Sequence, residues 1–298
     1  MSDANDPEWL RVDLDCPEPL LEAVTDVLGV LSGSGVEEKP VQEGTSRLSV
    51  FFKLRAPDNR QEILSLLQKE LAALFAIYDK PVPDLASSLL ADEDWATSWQ
   101  KYFKPFSIIP GLVIKPGWET YQPAQDEHVI EMDPGMAFGT GKHASTHLAL
   151  QLIHYCLQGA ADKKMLDVGT GTGILAMAAV LFGAGSVVAL DNDPEAVRVC
   201  RENITQNNLL AAIDCRATDI SEIAEPFDLI CANIVFNVLA AMLPEFSRLL
   251  VSGGQLVLAG ILQEKQEEKI LSLAAEKGFS AKTILHEGEW SGILLIKG

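Results

Sequence analysis

Three glycines spaced two apart, Gly169, Gly171 and Gly173, lie in the run Leu166-Asp167-Val168-Gly169-Thr170-Gly171-Thr172-Gly173. The apolar approach Lys164-Met165-Leu166 precedes them, and the helical run Ile174-Leu175-Ala176-Met177-Ala178-Ala179-Val180 follows. Strand, glycine turn and helix N-terminus in that order form the layout of a nucleotide-type cofactor site. A pyrophosphate-binding loop reads G-x-G-x-x-G, but the position three after Gly171 is Ile174, and Asp167 brings to the strand tip a charge that repels phosphate. The spacing suits a cofactor without phosphates. S-adenosylmethionine is such a molecule: its ammonium and sulfonium are cationic, and glycines at 169 and 171 let the backbone pack closely on its ribose and methionine parts. Asp191, twenty-two residues past Gly169 and at the end of the strand-like Ser186-Val187-Val188-Ala189-Leu190, is placed to bond a ribose diol. A nicotinamide dinucleotide is the competing ligand, disfavoured by the glycine spacing and by Asp167.

A second glycine-rich stretch, Asp133-Pro134-Gly135-Met136-Ala137-Phe138-Gly139-Thr140-Gly141-Lys142-His143-Ala144-Ser145-Thr146, precedes the first. Its glycines make a loop able to close over a ligand, with Phe138 as a lid against the adenine or sulfonium. Asn233, at the end of a strand-like run, offers an amide oxygen and two donors, which orient an attacking amine without competing as a nucleophile. His143 and His147 are four apart, as metal ligands on a helix would be, but no glutamate lies between them and no third ligand is evident. With His154 they read as helix packing and surface, and no metal is expected. Ser145-Thr146 lacks the aspartate and glycine elbow of a hydrolase triad.

Together with Asp94-Trp95, Trp99-Gln100-Lys101, Phe103-Lys104-Pro105 and Asn233-Ile234-Val235, the second stretch resembles the PrmA family, the methyltransferases of large-subunit ribosomal protein eleven (L11). The resemblance runs from the linker to the C-terminus, and the N-terminal part agrees in size and pattern. It implies that Thr146 binds S-adenosylmethionine, that Gly169 lies under its methionine and ribose, that Asp191 holds the ribose hydroxyls, and that Asn233 sits by the methyl group. Phe138, Thr140 and Gly171 are assigned to the same cofactor, and Asn233 is the one candidate catalytic residue. The implied reaction is methyl transfer to lysine side chains and the N-terminal amine of L11, free of RNA. The family usually has threonine and proline flanking the histidine of the glycine stretch, where this chain has Lys142 and Ala144. It usually continues Ile-Leu-Ala after the asparagine, where this chain has Ile234-Val235-Phe236. The alternatives are a methyltransferase of another protein or of a nucleic-acid base, and a module that binds S-adenosylmethionine without catalysis.

These residues need a scaffold, and 298 residues, 48% of them hydrophobic, can bury one large or two ordinary cores. Alternation at Leu10, Val12 and Leu14 and at Leu48, Val50, Phe52 and Leu54 predicts strands. Helical spacing at Leu20, Leu21, Val24, Val27 and Leu28 and at Ile63, Leu64, Leu67, Leu71 and Leu74 predicts helices. These elements form a small α+β, ferredoxin-like domain over 1–82, with Phe75-Ala76-Ile77-Tyr78 as its fourth strand. Pro81 and Pro83 end it, a linker helix with an aromatic face follows over 83–105, and a methyltransferase domain fills 106–298. That domain is expected to be Rossmann-like, with a mostly parallel seven-stranded sheet: strands at 164–168, 186–191, 212–217, 227–232 and 254–260, a terminal hairpin after 280, and helices at 173–182, 194–206, 237–249 and 264–277.

Forty-two acids against 23 bases give a net charge of −19, so phosphate backbones and anionic lipid are not attracted and a basic partner is better matched. The N-terminal 82 residues hold 15 acids and 8 bases. They are expected to recognise the protein substrate. The acidic start lacks the apolar core of a leader, no run spans a membrane, and five scattered cysteines without a C-x-x-C pair indicate reduced thiols, all consistent with a cytoplasmic protein.

Overall fold

The computed structural model describes residues 9–32, 36–42, 44–54, 59–78, 80–90, 104–132, 143–160 and 162–298. They fall into two compact units, one up to Lys104 and one from Pro105 onward. In the first unit the chain runs β1 (Trp9–Pro17), α1 (Leu21–Ser32), β2 (Glu37–Gln42), β3 (Thr45–Lys53), α2 (Asn59–Ile77) and β4 (Ala86–Leu90). The sheet order is β2-β3-β1-β4 with every pairing antiparallel. Leu10, Val12, Leu14 and Cys16 turn one face of β1 onto Leu20, Val24 and Leu28 of the first helical segment and Leu67, Leu71 and Phe75 of α2.

Two expectations for this unit are corrected. Phe75-Ala76-Ile77-Tyr78 is the end of α2 and its following turn, because Phe75 continues the buried stripe of Leu67 and Leu71 at helical spacing. The fourth strand is β4, paired with β1 from Trp9↔Leu90 to Asp13↔Ala86. The unit therefore extends past the boundary placed near residue 82, and the segment assigned to a linker helix contributes a strand. The aromatic part of that segment, Trp95, Trp99, Tyr102 and Phe103, lies outside the described residues, as do Phe138, Thr140 and Lys142.

The second unit begins with a small sheet of β5 (Phe106–Ile109), β6 (Leu112–Lys115) and β7 (His128–Glu131), which no pattern announced. Helix α3 (Ala144–Leu157) follows. Then β8 (Lys164–Val168), α4 (Ile174–Leu181), β9 (Ser186–Leu190), α5 (Pro194–Gln206), β10 (Ile213–Arg216), β11 (Phe227–Asn233), α6 (Phe236–Leu249), β12 (Leu250–Leu262), α7 (Lys265–Glu276), β13 (Phe279–Glu287) and β14 (Trp290–Lys297) form the main body. Seven strands order as β10-β9-β8-β11-β12-β14-β13. The first five are mutually parallel and β14 alone runs against them, as the sequence pattern predicts. Strands β8, β9 and β11 are buried on both faces, which explains their near-continuous apolar runs.

Strands β8, β9 and β10 wind outward in one direction, and β11 and β12 in the other. The order reverses between β8 and β11, whose C-terminal ends open the crevice where sheets of this kind bind ligands. One face of the sheet is filled by Leu239, Leu243 and Phe246 of α6 among others. Because Phe246 is fully buried, Phe246→Ala is expected to cost about 3–5 kcal/mol, read as a lowered denaturation midpoint of this unit.

Candidate active site

Gly169, Gly171 and Gly173 all have positive φ, at 73°, 54° and 81°. At two of them the absent side chain also permits a close approach. A Cβ on Gly169 would lie 2.4 Å from Cγ2 of Ile234, and one on Gly173 would lie 2.8 Å from Sγ of Cys200 on α5. The glycine loop thus seats directly on the residue after Asn233, joining the ends of β8 and β11.

Four amides of the loop are already engaged. Gly169 N and Thr170 N both donate to the Leu190 carbonyl, at 2.9 and 2.8 Å, and Gly173 N donates to the Thr170 carbonyl at 2.9 Å. Gly171 N donates to Oδ2 of Asp191 at 3.0 Å, and Asp193 N to its Oδ1 at 3.0 Å. A pyrophosphate would meet donors that are spoken for. The Asp191 carboxylate, by contrast, has spent one lone pair on each oxygen and keeps the others for hydroxyl donors such as a ribose diol.

Asp167 is sealed within β8 beneath the loop, fully buried. Oδ2 accepts from the Thr170 hydroxyl at 2.6 Å, and Oδ1 has no hydrogen-bond partner among the described residues. Burial pushes its carboxyl up to about 7; the Thr170 hydroxyl and the Ala176 amide act the other way, and the Asp191 charge adds to the rise.

Asn233 ends β11, and its Nδ2 donates to the hydroxyl of Thr146 at 3.4 Å. Thr146 is buried in the first turn of α3, which His143 starts by accepting from Ser145 N at 3.2 Å. The structure therefore brings Gly169, Gly171, Asp191, Asn233 and Thr146 to one end of the sheet. Gly260 is a member that the sequence reading missed. It has φ 78°, at an irregularity of β12, and a Cβ there would lie 2.6 Å from the Ile234 carbonyl and 3.3 Å from Oδ1 of Asn233. The available signal was a glycine interrupting the strand run Leu256-Val257-Leu258-Ala259, a mark of close backbone approach.

The histidines serve the scaffold. His147 pairs through Nδ1 with Glu287 at 2.8 Å, and the His154 ring lies 4.6 Å from that of Phe182. Among the described residues no cluster of three or more His, Cys, Asp or Glu side chains is arranged to hold a metal. All five cysteines are buried and free.

The sequence profile of the family described as "Ribosomal protein L11 methyltransferase (PrmA)" matches residues 8–297. The chain belongs to this family. The match takes in the N-terminal unit, where no motif had pointed to PrmA. An L11 methyltransferase of Desulfotalea psychrophila is 38% identical over 97% of this chain and 98% of its own length. One of Geobacter metallireducens is also 38% identical, over 98% and 99%. The crystal structure of the L11 methylase of Lactobacillus delbrueckii subsp. bulgaricus superposes with a TM-score of 0.59 at 33% identity, covering 66% of this chain and all of that one.

The buried Asp167 makes a testable contribution to stability in this PrmA chain. Its carboxyl binds its proton more tightly folded than unfolded, between the ordinary value of 3.8 and about 7. The folded state holds more protons in that window, so this stabilisation is complete below pH about 4 and is lost as the pH rises through about 7. Asp167→Asn keeps the shape and removes the titration. Its melting temperature is expected to fall less between pH 4 and 7 than that of the parent, by differential scanning calorimetry; parallel profiles would show that Asp167 does not titrate there.

Proposed function

We propose that the chain transfers methyl groups from S-adenosylmethionine to amines of ribosomal protein L11, on lysine side chains and at the N-terminus. The observation that carries this reading is the joining of the two strand ends: the glycine loop and Asp191 on one side, Asn233 and Thr146 on the other, bridged by the contact of Gly169 with Ile234. Membership of the L11 methyltransferase family names the substrate.

The residues present fit the methyl donor. Asp191 offers free lone pairs to a diol, the loop presents glycine backbone without side chains, and its engaged amides give no cradle for a diphosphate. Asp191 would hold the ribose hydroxyls, Gly169 and Gly171 would pack under the ribose and methionine parts, and Thr146 would complete the site; Phe138 and Thr140, which the family resemblance assigns to the same cofactor, lie outside the described residues. S-adenosylmethionine supplies a methyl group on a sulfonium, whose leaving group is a neutral thioether. The protein's part is then alignment. Thr146 takes the Nδ2 donor of Asn233, which leaves Oδ1 to accept from the incoming amine and aim its lone pair. Lysine has an ordinary pKa of about 10.4 and attacks only when neutral. Cationic and apolar surroundings favour loss of its proton to solvent.

The N-terminal unit reads as a ferredoxin-like domain that recognises L11. Its βαββαβ order and antiparallel sheet support the first part of that statement. Its excess of acids, 15 against 8 bases in the first 82 residues, supports the second, since a ribosomal protein not yet neutralised by RNA presents a basic surface. No helix among the described residues is long and apolar enough to cross a membrane, and the reading places the reaction in the cytoplasm, on L11 free of RNA.

Asp191→Ala removes two charge-assisted bonds to the diol at about 1.5–3 kcal/mol each. Calorimetry should show S-adenosylmethionine affinity weakened by at least tenfold; an unchanged Kd would remove Asp191 from the site, and tight binding of NAD instead would remove the methyltransferase reading. Asn233→Ala should lower kcat much more than it weakens S-adenosylmethionine binding, because its amide acts on the attacking amine. Equal losses would make it a cofactor ligand only. A chain beginning at Ala91 should keep S-adenosylmethionine affinity and lose methylation of intact L11; full activity of the shortened chain on L11 would show that the N-terminal unit does not recognise it.

A further inference from the structure

We propose that Val235, with Val238, forms an apolar shoulder beside Asn233 that receives the methylene stem of the acceptor lysine and keeps its amine from being held as an ammonium. This rests on the amine-acceptor reading above. Val235 is 68% exposed, the most exposed large apolar side chain among the described residues, and Val238 is 38% exposed. Its neighbours are committed elsewhere. Ile234 packs on Gly169, Leu239 is buried, and Phe236 is partly buried against the core, with the Lys269 ammonium 5.7 Å from its ring centre. Phe236, the aromatic departure from the family pattern, thus serves packing, and it is Val235 that faces outward.

Val235 also occupies a position where stability would choose differently. It is the N-cap of α6, with extended backbone at φ −62° and ψ 143°, no side-chain cap, and no acid in the first turn of the helix. Serine, threonine, aspartate or asparagine is preferred there, and valine is among the poorest choices. Breaking a local rule without a packing gain marks functional positions. The chemistry supplies the reason. A carboxylate or hydroxyl two residues from Asn233 would solvate the incoming ammonium and hold its proton, whereas an apolar side chain covers the stem and favours the neutral, attacking form. A methylene stem is the occupant that the two exposed valines and the adjacent Asn233 amide match together.

The test compares Val235→Asp, Val235→Ser and Val235→Leu in the full-length enzyme, using labelled S-adenosylmethionine and purified L11. The aspartate variant gains a cap, so its melting temperature should equal or exceed the parent's. Its kcat/KM for L11 should fall at least tenfold at neutral pH, with the rising limb of its pH profile moved to higher pH and its S-adenosylmethionine Kd within twofold of the parent's. The serine variant, capped but uncharged, should lose less, and leucine should rescue most of the rate. Parental kcat/KM and pH profile in both polar variants would overturn the proposal, as would equal losses in serine and leucine. Mass mapping of the parent's product separates the two readings: methyl groups on L11 away from any amine would overturn the acceptor reading itself, whatever the variants do.

Discussion

The parallel ladder of β8 and β11 runs up to Val168↔Ala232, and beyond it the two chains can still lie against each other because there is no side chain at Gly169. A Cβ there would stand 2.4 Å from Ile234 Cγ2, well inside the distance at which carbon atoms repel, and the backbone at φ 73° is one that other residues adopt only at a cost. Everything at the site is referred to this contact. It fixes the height of the glycine loop above the sheet and the position of Ile234. It thereby fixes Asn233, one residue earlier, relative to the loop. Gly260 does the same from the other side, leaving room for the Ile234 carbonyl. The strand-end turn that carries Asn233 is held between two glycines.

With the loop seated, its amides have little freedom. The Leu190 carbonyl takes two of them and Asp191 a third, so the end of β9 and the residue that follows it brace the turn. This arrangement discriminates among ligands by saturation. A diphosphate needs donors that point outward unpaired; a ribose diol needs an acceptor. Gly169, Thr170, Gly171 and Gly173 have given their amides to the scaffold, and Asp191 retains acceptor capacity. Asp167 sets the opposite sign of the sequence argument in a new light. Its charge does not repel a ligand from an open strand tip, because the carboxyl is buried and held by Thr170 inside the turn.

How much of this was legible follows from which forces leave a trace in residue order. The parallel strands β8, β9 and β11 are buried on both faces and show as apolar runs, and α5 shows in its Pro194 start. β2 left no trace: Glu37-Glu38-Lys39-Pro40-Val41-Gln42 is an exposed edge, where charge and proline guard against further pairing. β4 has a single pair of leucines in Ala86-Ser87-Ser88-Leu89-Leu90, and β5 to β7 are four residues each, too short to display a period. At Phe75-Ala76-Ile77-Tyr78 an apolar run fitted strand and helix equally, and the helical stripe of Leu67 and Leu71 decided it. Gly169, Gly171 and Asp191 could be placed from spacing alone because each sits at the boundary of a strongly patterned strand. At Gly260 the interrupted strand run signals a close backbone approach but not what approaches, since the Ile234 carbonyl comes from the end of a neighbouring strand.

The same distinction separates Val235 from Phe236. From sequence, the aromatic side chain is the conspicuous departure from the family pattern. In the fold it lies on the inner side of the first turn of α6, where an amphipathic helix requires an apolar residue. Val235 is inconspicuous in composition and conspicuous only in place. A side chain that neither packs nor caps, at a helix start next to the site's asparagine, is left without a stabilising function. Local rules of folding explain Phe236 completely and Val235 not at all, so it is at Val235 that the requirements of the reaction separate from those of the fold.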